Sequence, residues 1–274
     1  MQNDILQLFP PNGKKQSLEG LYLSENIRQC HDQNEPFIYS NFVTSIDGRI
    51  ALPVEGKITH QVPPAIGNAR DWRLFQELAA QADILITTSR YFRQASVQEA
   101  QDTLPVGPAF SDLKDWRKEQ GLKEQPDLAV FSASLNIPVA ALAPYRKRRI
   151  FIFTGQQSDP EKRTLLENES HARIIVCGEG TGVDGGRLRA AFTSLNYSTI
   201  YAIAGPRVLH TLANGKALDR LYLTTAHRLL GGNKFDTISS GSQLLPAMDM
   251  PLLSLYYDPV APDNIGQTLA SYGK

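Results

Sequence analysis

Short apolar strand patterns alternate with helical patterns along most of this chain, and that alternation limits the folds open to it. LAVFSA (128–133) precedes RIFIFTG (149–155), with helical spacing at 159–168. RIIVCG (173–178) precedes the helical GGRLRAAFTSLN (185–196), and TIYAIAG (199–205) precedes PRVLHTLANG (206–215). Upstream, PFIYSNFVTSIDGRIA (36–51) reads as a buried strand of β-branched and aromatic residues running into a polar turn. AIGNARDWRLFQELAAQA (65–82) carries Ala69, Trp72, Phe75, Leu78, Ala79 and Ala82 at helical spacing, and DILITTSR (83–90) is a further strand. Largely apolar strands separated by helices predict an α/β protein with a mixed, mostly parallel central sheet flanked by helices. LDRLYLTTAH (218–227) and LLSLYYD (252–258) have no comparable helix between them and predict an antiparallel edge.

The rhythm starts near residue 36 and shows no internal repeat, so 36–274 reads as a single domain preceded by a lead-in at 1–35. The lead-in holds Pro10-Pro11 and then a polar, helical stretch. Residues 91–126 break the pattern: they are polar, carry three prolines and hold one helix near 111–120. A loop of that length inside a domain is functional or mobile, and an insertion there could cover a pocket.

Lys+Arg and Asp+Glu both count 28, giving zero formal charge. No general basic field exists to hold nucleic acid or an anionic membrane, so any phosphate site must be local. No apolar run approaches the ~18 residues of a membrane span. The start lacks the regions of a secretory signal, and Cys30 and Cys177 stand far apart, which together predict a cytoplasmic protein with reduced thiols.

Two turns carry the chemistry. The strand at 36–51 delivers Thr44, Ser45, Asp47 and Gly48 to its carboxyl end, where open α/β sheets bind ligands. Asp-Gly is equally ordinary solvent-turn chemistry. In the second turn, Gly205 permits close approach and Pro206 occupies a first helical position, so free N–H groups face outward to suit a pyrophosphate, with Arg207 beside them. A well-made strand–helix connection would read the same way. Thr87, Thr88, Ser89 and Arg90, and Thr154 with Gly155, end two other strands; they suit a nucleotide phosphate or simply cap the strands. The loop GEGTGVDGGR (178–187) departs from the spacing of a dinucleotide fingerprint. No P-loop, paired-histidine or paired-cysteine metal spacing, or nucleophile elbow is present, and His31, His60, His171, His210 and His227 are scattered. A chain with no metal, nucleophile or base cluster borrows its reactivity from a cofactor.

VTSIDGRIA (43–51), DWRLFQELAAQADILITTS (71–89), PDLAVFSASLNIP (126–138), RIFIFTG (149–155), VDGGRLRAAFTSL (183–195) and AGPRVLHTLANGKALDRLYLTTAHRLLGG (204–232) together resemble the reductase domain of bacterial riboflavin biosynthesis, the pyrimidine reductase branch of the dihydrofolate reductase-like superfamily. The resemblance covers about 36–258 and implies that superfamily's fold, a homodimer, NADPH as hydride donor and a pyrimidine ribosylamine phosphate of the 5-amino-6-(5-phosphoribosylamino)uracil type, reduced at its ribosyl C1. By the same resemblance, Ala204, Gly205, Pro206, Arg207, Val208 and Leu209 hold the cofactor's phosphates. Thr44, Thr88, Ser89 and Arg90 lie along the cofactor, and Thr154 and Gly155 near its adenosine end. Asn41, Ser45 and Asp47 meet the substrate, with Ser45 and Asp47 at the reacting centre and no metal.

Four departures fall mostly on the substrate half. Ile203 stands where many members have glutamate, Arg90 where threonine is common, and Phe131 and Ala79 where arginines are found. They leave open a relative acting on another pterin, pyrimidine or carbonyl substrate, a non-catalytic NADP-binding protein, or a purely structural dimerising one.

Overall fold

Phe37, Ile38, Tyr39 and Phe42 fold as part of β3 (Phe37–Ser45), and the alternation of its side chains divides the protein into two cores. Ile38 and Phe42 enter one core; Phe37 and Tyr39 enter the other. The computed structural model describes residues 4–30, 35–57 and 59–273, so His31 lies outside the described residues. The other strands are β1 (Asp4–Phe9), β2 (Lys15–Ser17), β4 (Ile84–Thr88), β5 (Asp127–Phe131), β6 (Ile150–Thr154), β7 (Ala172–Val176), β8 (Thr199–Ala202), β9 (Arg220–Ala226), β10 (Leu252–Asp258) and β11 (Gln267–Gly273). The helices are α1 (Ala69–Gln81), α2 (Ser89–Ser96), α3 (Ser111–Glu119), α4 (Val139–Leu142), α5 (Pro160–Glu169), α6 (Leu188–Ser194) and α7 (Pro206–Asn214).

All the strands join one sheet in the order β2-β1-β10-β11-β9-β3-β8-β4-β5-β6-β7. From β9 to β7 the neighbours run parallel; β11, β10, β1 and β2 continue the sheet antiparallel. One core takes Leu74 and Leu78 of α1, Phe92 of α2, Leu113 of α3, Leu142 of α4 and Leu166 of α5. The other takes Leu188 and Phe192 of α6 and Val208, Leu209 and Leu212 of α7. Helices thus cover both faces of the parallel half, as the alternating sequence pattern predicts.

Three segments differ from the sequence reading. The lead-in, read as peripheral and helical, contributes β1 and β2 to the sheet, with Leu6 opposite Tyr257 of β10. Its helical content is two 3-10 turns, Leu23–Glu25 and Ile27–Gln29. The strand at 218–227 lies inside the sheet, parallel to β3 and antiparallel to β11, a strand the sequence reading missed. Finally, Ser89 and Arg90 belong to the first turn of α2, not to a strand.

Residues 91–126 are packed onto the domain although most of them are polar. The reason is Arg117 on α3, which is 1% exposed. Its guanidinium donates to the carbonyls of Ala80 and Ala82 at 2.7 and 2.8 Å and to Lys123 O at 2.7 Å. Those bonds satisfy carbonyls at and just past the end of α1 that no helical N–H reaches. Arg148 does similar work nearby, donating to the carbonyls of Leu104 and Pro105. Burial pulls both guanidinium groups down to about 10.

Arg117→Ala would leave the two buried carbonyls of Ala80 and Ala82 without this partner, and a cavity between α1 and α3. The expected loss is about 3 kcal/mol in urea unfolding. An unchanged midpoint would show that α3 does not brace α1.

Candidate functional site

The parallel strands end unevenly, and the unevenness opens a cleft. Phe37–Ser40 of β3 pair with Thr199–Ala202 of β8, but from Asn41 to Ser45 β3 is paired with β9 alone. There β8 stops and the chain turns through Ile203, Ala204 and Gly205 into α7. The space beyond β8 is part of a cleft of about 710 Å³, lined among others by Asn41, Asp71, Trp72, Phe75, Thr88, Arg90, Ala204, Gly205 and Pro206. It lies at a carboxyl edge of the sheet, where open α/β folds bind ligands.

The start of α7 forms one wall. Gly205 is the N-cap, exposed, extended, without side-chain capping, and nothing stands within 4 Å of where its Cβ would be. Pro206 follows at N1. A diphosphate fits this edge, because the helix end presents a partial positive charge over open backbone. Val208 and Leu209, expected among the phosphate ligands, follow in the first turn of the helix. Their side chains are buried in the core, and their amides donate to Gly205 O at 3.0 and 3.4 Å. Arg207 is exposed and outside the cleft lining.

Thr88 and Arg90 line the cleft beside that wall, Arg90 donating to His60 O at 3.3 Å. His60 in turn faces Asp236, Nδ1 to Oδ1 at 3.3 Å, closing the rim. Ser89 is buried and its hydroxyl accepts from Arg93 at 3.0 Å. Thr154 and Gly155 lie outside the lining, beneath the glycine-dense loop. Both the Thr154 hydroxyl and the Gly155 amide donate to Thr181 O. A Cβ on Gly155 would stand 2.0 Å from Gly180 O, so only glycine allows the loop to settle there.

Ser45 and Asp47, expected at the reacting centre, lie just past Val43, the last residue of β3 in the lining. The Ser45 hydroxyl donates to Asp47, and the amides of Leu230 and Gly231 donate to the same carboxylate, Gly231 at 2.8 Å. Arg49 Nε lies 3.4 Å away. The Ser45 hydroxyl first, then the Gly231 amide, hold the Asp47 carboxyl down at about 2, so it is ionised at neutral pH and has no proton to give. Its geometry is that of a clamp between the tip of β3 and residues 230–231. Thr44, buried, donates to Ser45 O within that turn.

Asn41 lines the cleft, with its Oδ1 accepting from the Tyr201 hydroxyl. Beside it are residues to which sequence reasoning gave no role. Trp72 and Phe75 stack, centroids 4.7 Å apart and planes at 10°. Asp71 is 8% exposed, and burial pushes its carboxyl from 3.8 up to about 6, with the Thr224 hydroxyl pulling the other way. An acidic residue in a helix's first turn is ordinary, and here Asn68 caps that turn by accepting from the amides of Arg70 and Asp71. The available signal was position: Asp71 shares the helical stripe of Leu74, Phe75 and Leu78, which faces the core.

Because its folded value is raised, Asp71 lowers stability above pH 6 and is neutral below its unfolded value near 3.8. Asp71→Asn should therefore raise unfolding free energy at pH 7 by on the order of 2 kcal/mol, after about 1 kcal/mol of lost helix-dipole attraction. The gain should vanish by about pH 4, below the 3.8–6 window's midpoint. Urea unfolding at the two pH values measures it; an equal gain at both would mean the charge is not the cause.

A family model described as the RibD C-terminal domain matches residues 36–255. In structure the chain is similar to a pyrimidine reductase-like protein from Corynebacterium diphtheriae, with 20% identity and a TM-score of 0.61, covering 87% of this chain and 91% of that one. It is similar to the riboflavin biosynthesis reductase of Saccharomyces cerevisiae, with 14% identity and a TM-score of 0.56 over 93% of this chain and 98% of that one. Acinetobacter baumannii RibD shares 14% identity at a TM-score of 0.56, covering 88% of this chain, which spans 58% of that longer protein. At such identities these likenesses show the fold. No curated protein matches the chain in sequence. The family match takes in β3, α1 and α7, the elements that build the cleft, and the chain belongs to the RibD C-terminal domain family, a family of oxidoreductases.

Proposed function

We propose that this chain is an NADPH-dependent reductase of a pyrimidine ribosylamine phosphate, acting at the ribosyl C1. The observation that carries the reading is the sharing of one cleft by the open start of α7 and by the stacked Trp72–Phe75 pair with Asn41. The first suits a dinucleotide's diphosphate, and the second a planar ring. Ala204, Gly205 and Pro206 would hold the diphosphate by backbone contact, with Thr88 and Arg90 alongside. When bound, a reduced nicotinamide supplies the hydride. The protein aligns the reacting carbon and excludes water, which is most of what hydride transfer asks of it. A homodimer agrees with β10, where Leu252 to Tyr257 are only half-buried, and with Leu8 and Phe9, which are 42% and 40% exposed on β1. A cytoplasmic location remains part of the proposal; among the described residues no helix is long and apolar enough to cross a membrane.

Ser45 and Asp47 act in this reading as positioning residues, through residues 230–231. Asp47→Asn should lower turnover several-fold while leaving NADPH affinity in place; wild-type turnover would remove both from the mechanism.

Gly205→Asp tests the cofactor wall. Aspartate is a favourable N-cap worth about 1 kcal/mol to the helix, so lost binding would not be lost folding. A carboxylate there should weaken NADPH at least tenfold in a fluorescence titration, with Tm held or raised. Affinity equal to wild type would place the diphosphate elsewhere. NADPH oxidation with the ribosylamine phosphate then separates the reductase from a non-catalytic NADP-binding protein, which would bind without turnover.

A further inference from the structure

We propose that Asp71 makes the cleft selective for a 2-amino-4-oxopyrimidine ring over its uracil counterpart, by accepting the ring N–H and the exocyclic amino group together. The inference rests on reading the cleft as the site of a pyrimidine substrate, and it names which pyrimidine.

Asp71 is a buried carboxylate in a cleft wall with no cation of its own among the described residues. The two arginines beside it on α1 are engaged elsewhere. Arg70 Nε donates to Asp258 at 2.7 Å, and Arg73 pairs with Glu77 at 2.9 Å and Asp112 at 2.7 Å. Among the described residues, the Thr224 hydroxyl from β9 is the side-chain group that favours the charged form of the Asp71 carboxyl. Buried carboxylates are ordinarily paired, and one that faces a cavity with a hydroxyl but no cation against it has acceptor capacity left for donors from whatever fills the cavity.

A carboxylate offers two parallel acceptors, and the chemical group that matches them presents two parallel N–H donors. The N–C–NH2 edge of a 2-aminopyrimidin-4-one does so. Uracil carries a carbonyl oxygen in place of the amino group, so at the same edge one N–H is flanked by an acceptor facing an acceptor. Buried mismatches of this kind discriminate steeply, on the order of tenfold to a hundredfold or more. Trp72 and Phe75, on the same helix, supply the flat surface a ring of either kind requires. The Tyr201 hydroxyl occupies the Asn41 oxygen, leaving that amide's N–H groups as donors for a carbonyl such as the 4-oxo group both rings share. Selection then falls to Asp71.

The test is calorimetric titration of the full chain with two stable, matched rings, 2-amino-6-methylpyrimidin-4-one and 6-methyluracil. Wild type should bind the amino ring at least tenfold more tightly. In Asp71→Asn the ratio should fall to about one or invert, because an amide offers one donor and one acceptor and so matches the uracil edge. Thr224→Val keeps the carboxylate and should keep the wild-type preference, which guards against a folding artefact in a single variant. Equal binding, tighter uracil binding, no binding of either ring, or an unchanged ratio in Asp71→Asn would each overturn the assignment. NADPH titrated into the same samples keeps the two readings apart. Lost ring preference with intact NADPH binding sinks this inference alone. Ring preference without NADPH binding sinks the reductase reading instead.

Discussion

The cleft exists because β8 ends four residues into its pairing with β3, while β3 runs on against β9. That difference in strand length does several things at once. It leaves Asn41 unpaired on one side, sends the chain through Gly205 into an outward-facing helix start, and makes room for α1 to set Asp71 and Trp72 over the gap. Had β8 matched β3 in length, ladder hydrogen bonds would fill the space that a ligand needs. The uneven edge is held open by packing beneath it: Tyr39 and Tyr201, from the two strands, stack at 4.9 Å with planes 11° apart.

Several buried or half-buried polar groups around the cleft are paired within the protein, and Asp71 stands out against them. Glu77 accepts from the amides of Gly20 and Tyr22, tying the N-terminal segment to α1. Asp83 accepts from Arg28, Ser198 and Thr199, and Arg117 spans three carbonyls. Each of these bonds fixes a segment that carries no catalytic group. Asp71 instead keeps a carboxylate in a desolvated wall at a cost to folding, the pattern expected where a group is retained for binding.

What the sequence disclosed follows from how local each signal is. The parallel strands and α1, α5 and α7 were legible because periodicity and caps lie within a dozen residues, as with Asp159 and Pro160 opening α5. The strands β1 and β11 were not, because their partners are distant and their own patterns are short or rich in small polar residues, as in QTLASYG. At the site, the motif beginning at Ala204 marks a turn that lies on the cleft wall, but its local pattern does not say which of its residues face the cleft. Val208 and Leu209 follow Gly205 in sequence and point into the core in space. Asp47 was singled out by its turn and proved to be fastened to residues 230–231, a contact no local pattern encodes. Asp71 was hidden by the opposite effect, since a capped first turn already accounts for an acidic residue there.

The hydrogen-bonding of β1 to β10 has a further consequence for how the molecule is assembled. Leu6 waits for Tyr257, and β10 in turn is flanked by β11, so about 250 residues separate the partners. A ribosome releasing the chain from its amino end exposes β1 and β2 long before anything can cover them, whereas the βαβ units of the parallel half can form as they emerge. The antiparallel half therefore closes only after β10 and β11 have emerged.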